Sequence, residues 1–401
     1  MTRIAIGVLI MAASIAAGAA EPPPISCLIQ PEKTVPVKPA RGRVVHCGLD
    51  LGSRTAKLSV VSMERGRNAT IRDERLCKRT LGFGALVFDS RTSTARPLPE
   101  EAIAALADTV REYGQICARD GGTIVAAGAT QWGRDATNVA DVQSRVKAAT
   151  GLAFDVLDPR QEAEYSYVAA SVNTPGRLVL DAGSNSFELA WQERGSAAIG
   201  SITVKYGYVR GATNDFEPAP DPAAGLAAYQ AHARAKIAEE LTTLTPPMSL
   251  ARLRDLVARG KVGGDLIALG EDGAIVPLAV RGRLRTAAGA WVADQKGYDG
   301  VLGSLPRRHD PSFGTMTTTP VRAAEVASYV RRLGPADFKA LTGQPVRTVY
   351  GQKALVVPAL VDLLLRELGA TRVFVVPQEV TTGHILTRLG EISAGTNSPV
   401  R

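Results

Sequence analysis

The sequence predicts an α/β protein made of two similar lobes, and three observations lead to that prediction. Residues 44–58 (VVHCGLDLGSRTAKL) and 178–189 (LVLDAGSNSFEL) share one design: an apolar run ends on an Asp, a Gly-Ser turn follows, and an alternating second strand leaves the turn. Strand-like and helix-like segments alternate around both, which is typical of mixed sheets flanked by helices. A chain of 401 residues with 45% hydrophobic residues can also bury two cores.

The N-terminus predicts export from the cytoplasm. Residues 1–20 combine a basic start at Arg3, an apolar run from Ile4 to Ile15 and a small-residue cleavage site, as in a secretory signal peptide. The apolar run is too short to span a bilayer well, so stable membrane insertion is not expected. Residues 21–42 contain six prolines and predict an extended lead-in. We therefore expect a periplasmic or secreted protein.

The two hairpins predict a phosphate-binding cleft. Glycine lets the backbone approach a ligand closely, and small hydroxyl side chains and exposed N–H groups can surround an anion. One such turn is more often a simple hairpin turn, since Asp, Gly and Ser are common there. Two copies, each opening a lobe-sized segment, indicate the duplicated actin, sugar-kinase and chaperone type of domain. This actin-like, ribonuclease H-like arrangement has an interdomain cleft that would hold one phosphorylated ligand.

The segments between the hairpins follow the α/β alternation. We predict a strand over Thr123–Gly128, a helix over Asp135–Ala149 and a strand over Phe154–Leu157. A further helix is predicted over Pro159–Ser171, because proline suits the first turn of a helix. Residues 172–175 would be the hinge between domain I, at 43–172, and domain II, at 173–395.

Four motifs in this order resemble the exopolyphosphatase and guanosine pentaphosphate phosphatase family. That family has an Asp-x-Gly-Ser-Asn-Ser hairpin, an Ala-Thr-Ser-Ala-x-Arg-x-Ala-x-Asn segment, a Gly-Glu-Glu-Ala-Arg helix and an Asp-x-Gly-Gly-Gly-Ser-x-Glu-Leu hairpin. The matching residues here are Asp50, Gly52, Ser53 and Lys57; Ala129, Thr130, Arg134, Ala136 and Asn138; Glu162 and Ala163; and Asp181, Gly183, Ser186, Glu188 and Leu189. Looser similarity continues to about residue 390. In that part, Val262-Gly263-Gly264 resembles the family's third glycine turn.

The resemblance implies hydrolysis of a terminal phosphoryl group by an in-line water, with catalysis mostly by positioning and electrostatics. Glu162 matches the family's general base; the alternative is a first-turn helix carboxylate. Arg134 would hold a phosphate oxygen, and Asp181 completes the expected catalytic residues. Mg²⁺ or another divalent cation would bind Asp181, Glu188 and Asp50, which otherwise are turn-capping carboxylates.

The same resemblance implies that the two turns supply donors to the phosphates. The expected phosphate-binding residues are Gly52, Ser53, Arg54, Thr55, Gly183, Ser184, Asn185 and Ser186. The two turns also depart from the family pattern. Arg54 stands where Asn is usual and would either bind a polyanion or block it, and Ser184-Asn185 replace two glycines of the second turn.

The net charge indicates which kinds of ligand the protein would bind. The net charge of +8 favours polyanions, and polyphosphate or another phosphorylated polyanion suits it. Nucleic acid is not expected, because no dense basic run with interleaved aromatics occurs and aromatic residues make up only 5%.

The four cysteines fit an oxidising compartment, and Cys47 could pair with Cys77 if they lie across neighbouring strands; buried free thiols are the alternative. Metal-ligand spacings such as Cys-x-x-Cys are absent, so zinc is not expected.

Three functions remain open at this stage. The first is an exported exopolyphosphatase-like phosphohydrolase. The second is a catalytically weakened protein that uses the same cleft to bind a polyanion or a partner. The third, a sugar-kinase-like phosphotransferase, is disfavoured by the predicted compartment and by Glu162. Whether two chains pair as a homodimer is left open.

Overall fold

The structure is a computed structural model that describes residues 24–29, 43–64, 70–89, 94–171, 176–285, 291–292, 295–310, 315–334, 337 and 349–390. The predicted signal peptide, most of the lead-in and the predicted hinge at 172–175 lie outside these residues. Over the described ranges, no helix has the length and apolar character needed to cross a membrane.

The first lobe is built on a six-stranded mixed sheet. Its strands are β1 (Ser26–Ile29), β2 (Arg43–Leu51), β3 (Thr55–Glu64), β4 (Thr70–Thr80), β7 (Thr123–Ala129) and β8 (Asp155–Val156), in the order β1-β4-β3-β2-β7-β8. The two-residue strands β5 (Phe88–Asp89) and β6 (Thr94–Ala95) form a separate small pair. Strands β2, β3 and β4 are antiparallel, and β7 and β8 run parallel to β2.

The second lobe repeats that arrangement. Its sheet contains β9 (Leu178–Ala182), β10 (Phe187–Gln192), β11 (Ile199–Val204), β12 (Asp265–Leu269), β15 (Val321–Arg322) and β16 (Arg372–Val376), in the order β11-β10-β9-β12-β16-β15. Strands β13 (Arg307–Asp310) and β14 (Thr315–Thr318) pair outside it. Five strands in each lobe therefore follow one order, three antiparallel and then two parallel, as the predicted duplication requires.

Helices cover the sheets. Those of the first lobe are α1 (Phe83–Val87), α2 (Glu100–Arg119), α3 (Gln131–Asp135) and α4 (Val139–Thr150), followed by α5 (Pro159–Ser171). Those of the second lobe are α6 (Tyr208–Gly211) with a π-helical turn (Ala212–Phe216), α7 (Pro222–Thr242), α8 (Leu250–Ala258), α9 (Gly270–Val280), α10 (Gln295–Gly303), α11 (Ala323–Arg332) and α12 (Val349–Leu368), followed by α13 (Val380–Arg388). Each lobe has its own hydrophobic core.

Helices α5 and α13 lie between the two sheets. Helix α5 follows the first lobe but buries Ala163 and Ala170 against strands of the second sheet. Helix α13 follows the second lobe but packs Ile385 and Leu386 against the first sheet. The two helices touch so closely at Gly383 that a Cβ there would lie 1.8 Å from a carbonyl oxygen of α5. The chain thus crosses between the lobes twice, and the domain boundaries at 43–172 and 173–395 stay a prediction.

Most predicted elements are present, but one is divided. The helix predicted over Asp135–Ala149 is instead α3 and α4, separated by residues 136–138. Asn138 accounts for the break, because its side chain accepts from the backbone N–H of Leu98 and donates to the Leu98 carbonyl oxygen. A side chain committed to a distant backbone in this way favours a helix start over a helix interior.

All four cysteines form disulfides, but Cys47 does not pair with Cys77. The bridges are Cys27–Cys77 and Cys47–Cys117. Cys47 lies on β2 and Cys77 on β4, with β3 between them. Two strand spacings amount to roughly 10 Å, which exceeds the reach of a disulfide. The sequence could not show this, because the strand order decides it.

We predict that reduction destabilises the first lobe. The bridges close loops of 50 and 70 residues, for which loop entropy in the unfolded state gives roughly 4 kcal/mol each. Urea unfolding with and without a phosphine reductant measures the effect. Cys27→Ser/Cys77→Ser and Cys47→Ala/Cys117→Ala variants should each lose about half of the sensitivity to reductant. Free thiols in the unreduced protein, found by mass spectrometry, would contradict the pairing.

Candidate active site

The two predicted phosphate turns have the same internal geometry. A Cβ on Gly52 would lie 2.8 Å from the carbonyl oxygen of Thr55, and a Cβ on Gly183 would lie 2.8 Å from that of Ser186. Both positions therefore require glycine, because a side chain would collide with the returning strand. The match at equivalent positions supports the duplication inferred from sequence.

The carbonyl oxygens of each turn accept hydrogen bonds from a neighbouring segment of the same lobe. That segment follows β4 in the first lobe and β11 in the second. In the first lobe the N–H groups of Leu81 and Gly82 donate to the oxygen of Arg54, at 2.8 and 2.9 Å, and Gly84 donates to Ser53. In the second lobe the N–H groups of residues 207, 208 and 209 donate to the oxygens of residues 185, 183 and 184. The N–H groups of residues 52–54 and 183–185 make no hydrogen bond to other described residues, so they are available to an anion.

The turns face one cavity of about 130 Å³ between the lobes. From the first lobe it is lined by Asp50, Gly52, Ser53, Arg54, Thr55, Lys57, Lys78, Thr80, Thr130 and Gln131. From the second lobe it is lined by Asp181, Gly183, Ser184, Asn185, Ser186, Glu188, Tyr208, Glu271, Asp272 and Lys353. The helices between the sheets contribute Glu162, and Glu379 and Val380 at the start of α13. Every predicted site residue except Arg134 therefore reaches this cavity.

Glu162 lies in the first turn of α5, where the chain builds a capping box. Asp158 accepts from the N–H of Gln161 at 2.8 Å, and the Gln161 side chain accepts from the N–H of Asp158 at 3.0 Å. Gln161, which replaces the usual acid of the family motif, thus fixes the helix start. Glu162 follows it and faces the cavity, while Glu164 pairs with Arg160 at 2.7 Å.

Arg134 holds Glu162 in place. Its Nη1 donates to Oε2 of Glu162 at 3.0 Å and to the carbonyl oxygen of Leu157 at 2.6 Å, and its Nη2 donates to Gln131 at 3.0 Å. Burial raises the pKa of Glu162 to about 7, and the nearby Asp181 adds to the rise against the opposing charge of Arg134. A carboxylate with a pKa near neutrality is suited to general-base catalysis. Arg134 positions that carboxylate and does not line the cavity as a phosphate ligand.

Asp50, Asp181 and Glu188 are three further carboxylates close to Glu162. Asp181 and Glu188 are directly opposite one another on β9 and β10, so their side chains share one face of the sheet. Ser166 donates to Asp181 at 2.7 Å, and Ser186 donates to Glu188 at 2.9 Å. The Ser186 hydroxyl proton is therefore already committed to Glu188. Ser53 accepts from the N–H of Trp132 at 3.0 Å, so its own proton stays available to a ligand.

Mutual proximity and burial disfavour the charged forms of these acids. Burial raises the pKa of Asp50 to about 7, with Glu162 and Asp181 among the added causes and Lys57 opposing. Burial raises the pKa of Asp181 as well. The pKa of Glu188 is raised well above its ordinary value by burial and then by the charges of Glu162 and Asp181. The cluster therefore attracts protons or cations.

The donor set fits a cation only when a ligand completes it. Among the described residues, no group of three His, Cys, Asp or Glu side chains is arranged to hold a metal ion. However, Oδ1 of Asp50 is buried and has no hydrogen-bond partner. Mg²⁺ is commonly held by one or two carboxylates together with substrate phosphates and water. Asp50 and the Asp181–Glu188 pair suit that mode of binding.

Three ion pairs that sequence reasoning missed also line the cavity. Lys57 bonds Glu379 at 2.8 Å, and Lys78–Glu271 and Lys353–Asp272 are also paired. Lys57 and Glu379 are separated by 322 residues and Lys78 and Glu271 by 193. Only the assembled fold brings such partners together.

The position predicted for the third glycine turn is wrong. Val262-Gly263-Gly264 precedes β12, at the end of the strand away from the cavity. The turn at the cavity follows β12 and begins at Gly270, where φ is +58° and a Cβ would lie 2.3 Å from Oε1 of Glu379. The apolar run of β12 ending in Leu269-Gly270 was the available signal, because both phosphate hairpins also have a glycine just after a buried strand.

Comparison with known proteins points to one phosphatase family. Residues 79–252 match the model of the Ppx/GppA phosphatase family. The chain is 32% identical over 146 residues to proteins named exopolyphosphatase 1 from Mycobacterium bovis and Mycobacterium tuberculosis, which covers 35% of this chain and 40% of each relative. The match thus spans less than half the length of those relatives.

Solved structures extend the likeness in fold. The Ppx/GppA enzyme of Aquifex aeolicus superposes with a TM-score of 0.57 at 17% identity, covering 86% of this chain and 99% of that one. An exopolyphosphatase from Cytophaga hutchinsonii superposes with a TM-score of 0.55 at 16% identity, covering 88% and 100%. The family resemblance read from the motifs is confirmed, and the actin-like two-domain fold with it.

We predict that the effect of Asp50→Asn on stability depends on pH. In the folded state the pKa of Asp50 rises from 3.8 to about 7, so the folded protein binds this proton more tightly than the unfolded chain. The parent therefore loses stability as pH rises between those values, by about 1.4 kcal/mol per pH unit at most. The variant cannot ionise there. Its melting temperature relative to the parent should increase from pH 5 to pH 8.

The comparison isolates Asp50 because other titrating groups are common to both proteins. Lys57, Glu162, Glu379 and Asp181 surround the carboxyl group in parent and variant alike. Asp141→Asn, on the exposed face of α4, is the matched control and should show no such trend. A constant difference between parent and Asp50→Asn across the range would contradict the prediction.

Proposed function

Because residues 79–252 belong to the Ppx/GppA phosphatase family, we propose that this protein hydrolyses a phosphoanhydride. The proposed reaction is release of the terminal phosphoryl group of polyphosphate, or of a related compound, by attack of water. One observation carries the proposal. Glu162, a carboxylate that is only 13% exposed and has a pKa of about 7, faces two turns whose backbone N–H groups are free to bind an anion.

The proposed chemistry uses the residues already described. The N–H groups of residues 52–54 and 183–185 would hold the equatorial oxygens of the terminal phosphoryl group, with the Ser53 hydroxyl as a further donor. Glu162 would accept a proton from the attacking water, which becomes hydroxide-like as it approaches phosphorus. The phosphoryl group would pass to that water, and the remaining phosphate would leave as an anion.

Arg134 would act through Glu162. Its three hydrogen bonds, to Glu162, Leu157 and Gln131, fix the direction of the carboxylate. Its charge also keeps part of the Glu162 population ionised at neutral pH. The family resemblance implied that Arg134 holds a phosphate oxygen; in this proposal Arg134 orients the base instead.

A divalent cation such as Mg²⁺ is part of the proposal. Asp50 would hold it through the unpartnered Oδ1, with Asp181 and Glu188 nearby. The cation would supply positive charge that the acid-rich cavity lacks when a phosphate enters. Mg²⁺ would also replace the protons that these carboxyl groups hold when no ligand is bound.

Export is proposed as the setting. The predicted signal peptide motivates it, and the two disulfides support it because disulfides persist in oxidising compartments. Inorganic polyphosphate is then a more plausible substrate than a cytoplasmic nucleotide. Pairing of two chains stays a prediction.

A binding protein on the same scaffold is the second candidate. Three cavity lysines are already paired with acids, and Ser184-Asn185 replace glycines in the second turn. The paired lysines would give little added stabilisation to the transition state, and the side chains of the second turn would crowd the closest approach of the reacting phosphoryl group, so both features would weaken turnover more than binding. A protein that only binds would show stabilisation by polyphosphate without turnover.

We predict that Glu162→Gln abolishes phosphate release from polyphosphate in the presence of Mg²⁺. Removal of a general base costs about 10²- to 10⁴-fold in rate. Affinity for polyphosphate should stay near that of the parent, because the change removes a base and not an anion donor. Orthophosphate release and ligand-dependent melting temperature measure the two effects on protein lacking residues 1–20.

Glu164→Gln is the matched control on the same helix. Glu164 pairs with Arg160 and does not line the cavity, so this variant should retain parental activity. Full activity in Glu162→Gln would remove our assignment of the base. Stabilisation by polyphosphate without release in the parent would instead support the binding protein.

A further inference from the structure

Among the residues that the structure describes, four basic side chains line the cavity, and three of them are already engaged. Lys57, Lys78 and Lys353 each pair with a carboxylate that lines the same cavity. A phosphate that took one of these lysines would leave a buried acid without its partner. Such a loss is strongly unfavourable for buried ion pairs. The lysines are therefore poor primary ligands for a second phosphate.

Arg54 is the fourth, and its guanidinium makes no hydrogen bond or ion pair with any residue that the structure describes. Only its backbone is engaged, through the carbonyl oxygen that accepts from Leu81 and Gly82. Those bonds fix the Cα of Arg54 at the apex of the first turn while the side chain stays partly exposed at the cavity. Binding an anion there breaks no existing contact.

The start of α9 is also unfavourable for a second phosphate. Glu271 and Asp272 occupy the first turn of α9, and Glu379 accepts from the N–H of Glu271 at 3.2 Å. The protein thus fills the anion-attracting start of that helix with its own carboxylates. A chain of phosphates that extended toward α9 would meet these acids.

We propose that Arg54 binds the second phosphoryl group of the substrate, so that the terminal group lies between the two turns and the rest of the chain continues past Arg54. The inference rests on the proposed function and adds a specificity residue to it. A guanidinium presents two parallel N–H donors to phosphate oxygens, which a lysine cannot do. Arg54 would therefore select substrates with at least two linked phosphoryl groups over phosphate alone.

The test is the affinity of Arg54→Gln for tripolyphosphate, measured by isothermal titration calorimetry with Mg²⁺ on protein lacking residues 1–20 and carrying Glu162→Gln to prevent turnover. We expect the dissociation constant to rise about tenfold to a hundredfold, the range for a lost charge-assisted contact. Arg54→Lys should fall between the two. The melting temperature without ligand should not change, since the guanidinium has no partner to lose.

Arg210→Gln is the matched control for charge. Arg210 lies on α6 close to the second turn, donates to the carbonyl oxygen of Lys205 at 3.0 Å and does not line the cavity. Its removal should leave tripolyphosphate affinity unchanged. An equal loss in Arg210→Gln and Arg54→Gln would overturn the proposal in favour of general attraction by net charge.

Inhibition by orthophosphate separates the second phosphoryl group from the first. In an otherwise unaltered protein, Arg54→Gln should raise KM for tripolyphosphate while the inhibition constant of orthophosphate stays the same. Unchanged tripolyphosphate affinity would overturn the Arg54 assignment alone, with the proposed function intact. A parent protein that neither binds nor hydrolyses tripolyphosphate would overturn both.

Discussion

The site depends on hydrogen bonds that bind the two turns from behind. Each turn reverses the chain within four residues. If its carbonyl oxygens pointed into the cavity, they would repel an anion there. The segments after β4 and β11 donate to those oxygens, so the opposite face of each turn presents N–H groups. Each turn packs so closely against the segment that donates to it that a glycine is required in that segment. A Cβ on Gly207 would lie 2.5 Å from the Gly183 oxygen, and one on Gly84 would lie 2.9 Å from Cβ of Ser53.

An excess of acid is the second property that governs the cavity. Three carboxylates pair with lysines, and Glu162 pairs with Arg134. Within the part of the chain that the structure describes, Asp50, Asp181 and Glu188 then have no cationic partner at ion-pair distance. Burial then raises their pKa values. An anion alone would be repelled by these groups once they ionise. A divalent cation entering with the phosphate removes that repulsion, which is why metal and substrate binding are coupled in the proposed mechanism.

Sequence reasoning succeeded where local chemistry decides the outcome. Proline at the first turn and Asp158 before it define α5, which begins and ends at the predicted residues. The two hairpins were equally recognisable, because their glycines are required by contacts within four residues of one another. The family resemblance also pointed to Glu162, Asp181 and Glu188, and the structure brings all three to one cavity. The β9–β10 hairpin places Asp181 beside Glu188.

Sequence reasoning failed where partners are distant. Nothing near Cys27 indicates Cys77, and the choice between Cys77 and Cys117 as partners of Cys47 follows from β3 lying between β2 and β4. Glu379 and Lys57 lie at opposite ends of the chain and meet because α13 returns to the first sheet. The other crossing helix, α5, brings the proposed base into contact with both lobes. Arg134 belongs to the first lobe, whereas α5, which carries Glu162, packs on the second sheet and bonds Asp181 through Ser166. A change in the angle between the lobes would therefore alter the Arg134–Glu162 contact, so the orientation of the base depends on the relative position of both lobes.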